Sequence, residues 1–137
     1  MLILGLGLLF LGRKKERKFV LLSLLLVLIS DVLTYRILKP LIASPRPFHI
    51  LSGVKVLVGR SASYGFPSTH AANAFALATF SFFYYPYLSP FIYLLAFLVG
   101  FSRIYVGVHF PSDVIGGACL GILLGWGLGR WSKRREK

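Results

Sequence analysis

The stretch FVLLSLLLVLISDVLTYRILKP, residues 19–40, decides the fold. From Phe19 to Leu38 it carries one acid, Asp31, and one base, Arg36, before Lys39 and Pro40 interrupt it. A hydrocarbon layer about 30 Å thick takes about 20 helical residues to cross, so residues 19–38 predict a membrane span. Lys39 and Pro40 are expected to end it, because the residue before a proline disfavours helix. Asp31 within such a span is costly in lipid. It is expected to face the bundle in a protonated or locally hydrogen-bonded structural role.

The rest of the chain fits that setting. Its 137 residues are 56% hydrophobic, and the mean hydropathy is +0.74, as expected for a single membrane-embedded domain over residues 1–137. The formal charge of +12 concentrates at the flanks of apolar runs, at residues 13–18 and 130–137. Such flanks set topology and meet anionic membrane lipids. A nucleic-acid binder needs a solvated basic face instead, so nucleic acid is not an expected partner. Cys119 is the only cysteine; it excludes an intrachain disulfide and reads as a packing residue.

Residues 2–11 are apolar with the basic run after them rather than before, unlike a cleavable leader. At that length they predict a short N-terminal apolar helix that is partial, tilted or interfacial. Residues 42–66 mix prolines, glycines and serines and read as an extramembrane loop with a short interfacial helix. Ser68 or Thr69 is expected to cap a helix from His70 to about Tyr85, stopping before Pro86. A second helix, from about Phe91 to Tyr105, follows so closely that the two form an antiparallel hairpin. The last helix is expected from Pro111 to about Trp131. On it Gly117, Gly121, Gly125 and Gly129 recur every four residues, placing a face of small residues against a neighbouring helix. The expected architecture is all-α: four transmembrane helices plus the short N-terminal helix.

Four polar islands interrupt the apolar chain: residues 39–47 (KPLIASPRP), 67–70 (PSTH), 102–103 (SR) and 109–113 (HFPSD). With residues 13–18 in the cytoplasm, alternation of spans puts all four on the outer face of a bacterial inner membrane. Lys39, Arg46 and Arg103 would then share one face. Singly, each could snorkel to lipid headgroups. Together with two histidines and an aspartate they suit a phosphate, which arginine forks grip bidentately and lysine meets as a point charge. Ser68, Thr69 and His70 sit at a helix N-terminus, where unpaired N–H groups favour an anion. His109 and Asp113 are four apart, so the carboxylate can fix the imidazole tautomer while the other nitrogen attacks. The alternative for Asp113 is simple helix capping. A nucleophilic histidine needs a separate acid for the departing oxygen, and His70 is the available one. His49 reads as a loop residue.

These motifs resemble the type 2 phosphatidic acid phosphatases, the PAP2 superfamily of membrane lipid phosphatases related to vanadium haloperoxidases. The family pattern K-x6-R-P, then P-S-G-H, then S-R-x5-H-x3-D is matched in order and spacing from Lys39 to Asp113, except that Thr69 stands where the family usually has glycine. The resemblance implies phosphoryl transfer through a phosphohistidine, with no metal or other cofactor. It makes His109 the nucleophile, Asp113 its orienting partner and His70 the general acid. Lys39, Arg46, Arg103, Ser68 and the Thr69 and His70 amides would bind the phosphate. The substrate it implies is a lipid phosphate monoester or pyrophosphate: lipid A 1-phosphate, undecaprenyl pyrophosphate or phosphatidylglycerol phosphate.

Three other readings remain open from the residues. A phosphotransferase would pass the phosphate to a second lipid rather than to water. A non-catalytic helix bundle would bind phosphorylated lipid only. A metal site built from His70, His109 and Asp113 would be sensitive to chelator.

Overall fold

In a computed structural model the chain is described over residues 12–59 and 62–135. The expected N-terminal apolar helix at residues 2–11 lies outside the described residues, as does Arg60. Among the described residues every regular element is helical. Helix α1 (Lys14–Asp31) runs without a break into a π-helical segment (Val32–Leu38) and a closing turn, α2 (Lys39–Ile42). A short α3 (Pro47–Ile50) follows, then α4 (Thr69–Phe82), a 3-10 turn (Pro86–Leu88), α5 (Ser89–Tyr105) and α6 (Pro111–Arg134).

The first span therefore does not stop at Lys39 and Pro40 as the sequence suggested. Pro40 falls in the closing turn of this continuous helix, so its missing N–H costs one hydrogen bond just before the end rather than in the middle of the span. The chain stops instead at Ala43, whose φ of 50° is left-handed and whose N–H closes on the Lys39 carbonyl at 2.9 Å.

Three helical stretches are long and apolar enough to cross a membrane: Lys14–Ile50, Pro86–Tyr105 and Pro111–Arg134. The expected fourth, α4, has 14 residues, about 21 Å of helix at 1.5 Å per residue and shorter than a hydrocarbon layer. Its surroundings explain the difference. Ala71, Ala72, Ala76, Ala78 and Phe80 are all fully buried, and α4 contacts α1, α5 and α6. A helix wrapped by protein meets little lipid, so its length is set by its neighbours.

The tightest of those contacts is with α6. A Cβ added at Gly117, Gly121 or Gly125 would strike the carbonyl oxygen of Ser68, Ala72 or Ala76 respectively, and one at Gly129 would strike the Phe83 ring. The glycine file is therefore the surface on which α4 lies, as its four-residue period predicted. Cys119 is exposed rather than packed. Two residues from both Gly117 and Gly121, it lies about 200° around the helix from each.

At the end of the bundle remote from the polar islands, Phe19 stacks on Phe80 with ring centroids 5.5 Å apart, and Phe80 meets Tyr84 at 5.1 Å. The Tyr84 hydroxyl lies 2.5 Å from Ser132 Oγ, and Lys18 Nζ donates to the Ser132 carbonyl at 3.3 Å. The basic segments at the start of α1 and at the end of α6 thus share one end of the molecule. The polar islands gather at the other.

Candidate active site

Lys39 is buried despite its charge. Its Nζ donates to the carbonyls of Tyr64 at 2.6 Å and Gly65 at 3.1 Å. Two of its three donor hydrogens are thereby used, and one is left for an anion. The loop that supplies those carbonyls is fixed in turn by Gly65 N–H donating to Ser44 O at 2.8 Å.

Arg46, also buried, is held at several points. Its Nε donates to Ser63 O at 2.7 Å, one terminal nitrogen to Val108 O at 2.9 Å and the other to Ser63 Oγ at 2.9 Å. The guanidinium therefore ties the first island to the last before any ligand binds. Gly107 supports this junction with a φ of 76°, open to glycine at no steric cost. A Cβ there would also come within 3.0 Å of the Lys55 carbonyl.

The nitrogen that reaches Val108 also lies 3.5 Å from His109 Nε2. A guanidinium can only donate, so this nitrogen of the imidazole presents its lone pair. The proton then sits on Nδ1, which is 3.3 Å from Asp113 Oδ2. That same Oδ2 accepts the Phe110 N–H at 2.9 Å, at the start of α6. Capping and histidine orientation, set against each other by the sequence, are performed by one oxygen.

Burial is the largest influence on His109. With repulsion from Arg46 and Lys39 it outweighs the hydrogen bond to Asp113 and holds the imidazole below its ordinary 6.5. The ring is thus neutral near pH 7, the form that has a lone pair to donate.

Ser68 stands at the N-cap position of α4, but its hydroxyl makes no cap, contrary to expectation. The Ser68 N–H donates to the Asp113 carbonyl at 2.9 Å, which locks the start of α4 to the start of α6. Ser68 Oγ and Thr69 Oγ1 are buried without hydrogen-bond partners. Unpartnered buried hydroxyls are costly, at about 1–3 kcal/mol each, and both stand at a helix N-terminus.

Lys39, Arg46, Thr69, His70 and Arg103 line one cavity of about 280 Å³, together with Tyr35, Val58, Gly59, Ser63 and Val108. Five of the eight residues singled out from the sequence share this wall. The other three, Ser68, His109 and Asp113, are buried and do not line it; Arg46, which does, lies 3.5 Å from His109 Nε2. Among the described residues no three His, Cys, Asp or Glu side chains come together as a metal-binding group. His49 is exposed on α3, edge-on to Phe48 with ring centroids 4.4 Å apart.

Sequence reasoning missed the second layer. Ser63, Tyr64, Gly65 and Val108 hold the cations through backbone carbonyls, which no residue type announces. Tyr35 had a signal, since it lies four residues after Asp31 and four before Lys39. Tyr35 lines the cavity with Lys39. Asp31 receives a hydrogen bond from Asn73 Nδ2 at 2.7 Å, the local partner expected of an acid in this segment.

Comparison with known proteins agrees with these motifs. The family model for the PAP2 superfamily matches residues 20–137. The chain is 38% identical over 109 residues to a lipid A 4'-phosphatase of Bacteroides thetaiotaomicron, covering 74% of this chain and 48% of that protein. It superposes on the crystal structure of Aquifex aeolicus LpxE with a TM-score of 0.79 at 35% identity, covering 94% of this chain and 76% of that one. For the PAP2 type phosphatidylglycerolphosphate phosphatase of Bacillus subtilis the TM-score is 0.70 at 33% identity, covering 99% and 68%. The chain spans about half the length of the first curated relatives it matches, 48% and 50%.

Proposed function

This chain belongs to the PAP2 superfamily, and we propose that it is a membrane lipid phosphatase that hydrolyses a phosphate monoester or pyrophosphate through a phosphohistidine. The observation that carries this reading is His109, neutral, oriented by Asp113, with its Nε2 lone pair beside Arg46. The relatives' names support the substrate class: lipid A 4'-phosphatase, phosphatidylglycerophosphatase B and undecaprenyl-diphosphatase.

In the proposed reaction the substrate phosphate enters the cavity between Arg46, Arg103 and Lys39. Ser68 Oγ and the Thr69 and His70 amides take further phosphate oxygens. His109 Nε2 attacks phosphorus, forming P–N as the bond to the leaving oxygen breaks. His70, as imidazolium, gives its proton to that oxygen. Water then attacks the phosphohistidine, His70 takes the water's proton, P–N breaks and inorganic phosphate departs. Fixed cations around the phosphate stabilise the charge of both transition states without reorganising.

The membrane setting follows the same reading. Crossings by α1, α4, α5 and α6 make four spans, with α4 the short, protein-enclosed one. Under the positive-inside rule the two basic ends lie in the cytoplasm and the cavity opens on the external face of a bacterial inner membrane.

The test is phosphate release from a panel of these lipids by the purified chain in EDTA. His109→Ala is expected to lower kcat/KM by at least about 10³-fold, since it removes the attacking atom. Acid-labile phosphate on the unmutated protein should vanish with it. Undiminished turnover by His109→Ala, or loss of all activity to EDTA, would sink the mechanism. Transfer of label to a second lipid would reassign the acceptor.

A further inference from the structure

A second cavity, of about 410 Å³, adjoins the phosphate site and shares Tyr35 and Thr69 with it. Leu28, Asp31, Val32 and Arg36 complete its wall. Leu28 and Val32 are exposed on the first span, so in a bilayer this groove opens sideways to lipid. A lipid whose phosphate sits at Lys39 and Arg103 can direct its alcohol portion here.

Asn73 Nδ2 occupies Asp31 Oδ1 at 2.7 Å, while Asp31 Oδ2 has no hydrogen-bond partner among the described residues. Asn73 Oδ1 and Thr69 Oγ1 are also unpartnered and buried. Arg36 lines the groove as well, so its wall carries a cation beside the acid. An open carboxylate oxygen in a low-dielectric setting favours a ligand that brings a hydroxyl hydrogen.

We propose that this groove holds the leaving alcohol and that Asp31 accepts a hydrogen bond from a hydroxyl on it, selecting lipid phosphates with a polyol headgroup. This selection rests on the lipid-phosphatase reading above and narrows its substrate class.

The experiment compares phosphatidylglycerol phosphate with its analogue lacking the free headgroup hydroxyl, using the purified full chain in mixed micelles. A hydrogen bond to a charged group corresponds to about tenfold or more in kcat/KM, and that is the expected preference for the hydroxylated lipid. Asp31→Ala should collapse the ratio towards one, chiefly through KM for the hydroxylated lipid. Equal efficiency on both lipids by the unmutated protein overturns the selection while leaving the phosphatase reading intact. A proportional loss on both lipids in Asp31→Ala overturns it too, since a merely structural acid would behave so. Should Asp31→Ala fail to fold, the comparison of the two lipids decides by itself. Release from neither lipid, nor from any lipid in the panel above, would remove the phosphatase reading as well.

Discussion

His109 illustrates how one residue's chemistry depends on atoms far from it in sequence. Its neutral state comes from burial and from cations 63 and 70 residues away, Arg46 and Lys39, which together prevail over Asp113. The sign of the pH response follows. A lowered value keeps the ring neutral further into acid, so the acid limb of kcat/KM, where the nucleophile is lost, should lie below 6.5. A pH–rate profile whose acid limb lies above 6.5 would contradict the burial argument. Stability moves the same way. The unfolded chain binds this proton at 6.5 and the folded one resists it, so the contribution of His109 to stability is lost as pH falls through its folded value. Ala43 offers a simpler test. Its φ of 50° is costly for a residue with a Cβ, by about 1–2 kcal/mol. Ala43→Gly is therefore expected to raise the unfolding midpoint in detergent, and an unchanged or lowered midpoint would refute the left-handed turn.

Among the elements, α6 shows why equal residues are unequal in position. Gly121 lies against the α4 backbone, where an added Cβ would strike the Ala72 carbonyl, whereas nothing lies within 4 Å of one at Gly127. Gly121→Ala should destabilise the bundle by about 1–3 kcal/mol through overpacking. Gly127→Ala should stabilise it by roughly 0.5–1 kcal/mol, since alanine is the better helix former in an open helix interior. Chemical unfolding of the two variants in the same micelles checks both signs at once. The glycine period was legible in the sequence because a four-residue repeat keeps one face of a helix. The π segment was not, because its hydrophobicity reads like any other apolar helix. Likewise Pro40 predicted a stop, whereas the helix runs on to Ile42.

For the whole molecule, the decisive relation is that the basic ends and the polar islands lie at opposite ends of one bundle. Lys18 meets Ser132 at one end, and Arg46 meets Val108 at the other. The orientation proposed above predicts that a cysteine at Leu51, exposed beyond α3, is labelled by a membrane-impermeant maleimide on intact cells. A reporter fused after Lys137 should stay protected, with Cys119→Ser as the background. Labelling with the reverse sidedness would invert the topology and put the site inside.

The sequence by itself determined the helical membrane class, the islands and the residue types gathered in the candidate site. Hydropathy and short-range spacing are local quantities, and one helix period suffices to read His109 with Asp113. Only the tertiary structure decided which donors remain for a ligand. Lys39 spends two of its three on the carbonyls of Tyr64 and Gly65, and Arg46 spends three of its five on the Ser63 and Val108 carbonyls and Ser63 Oγ. It also decided that Ser68 leaves its hydroxyl uncapped and that Asp31 meets Asn73 beside a groove. These are contacts between backbone and side chains brought together by packing. Any residue can supply a carbonyl, so no pattern of residue types could have foretold them.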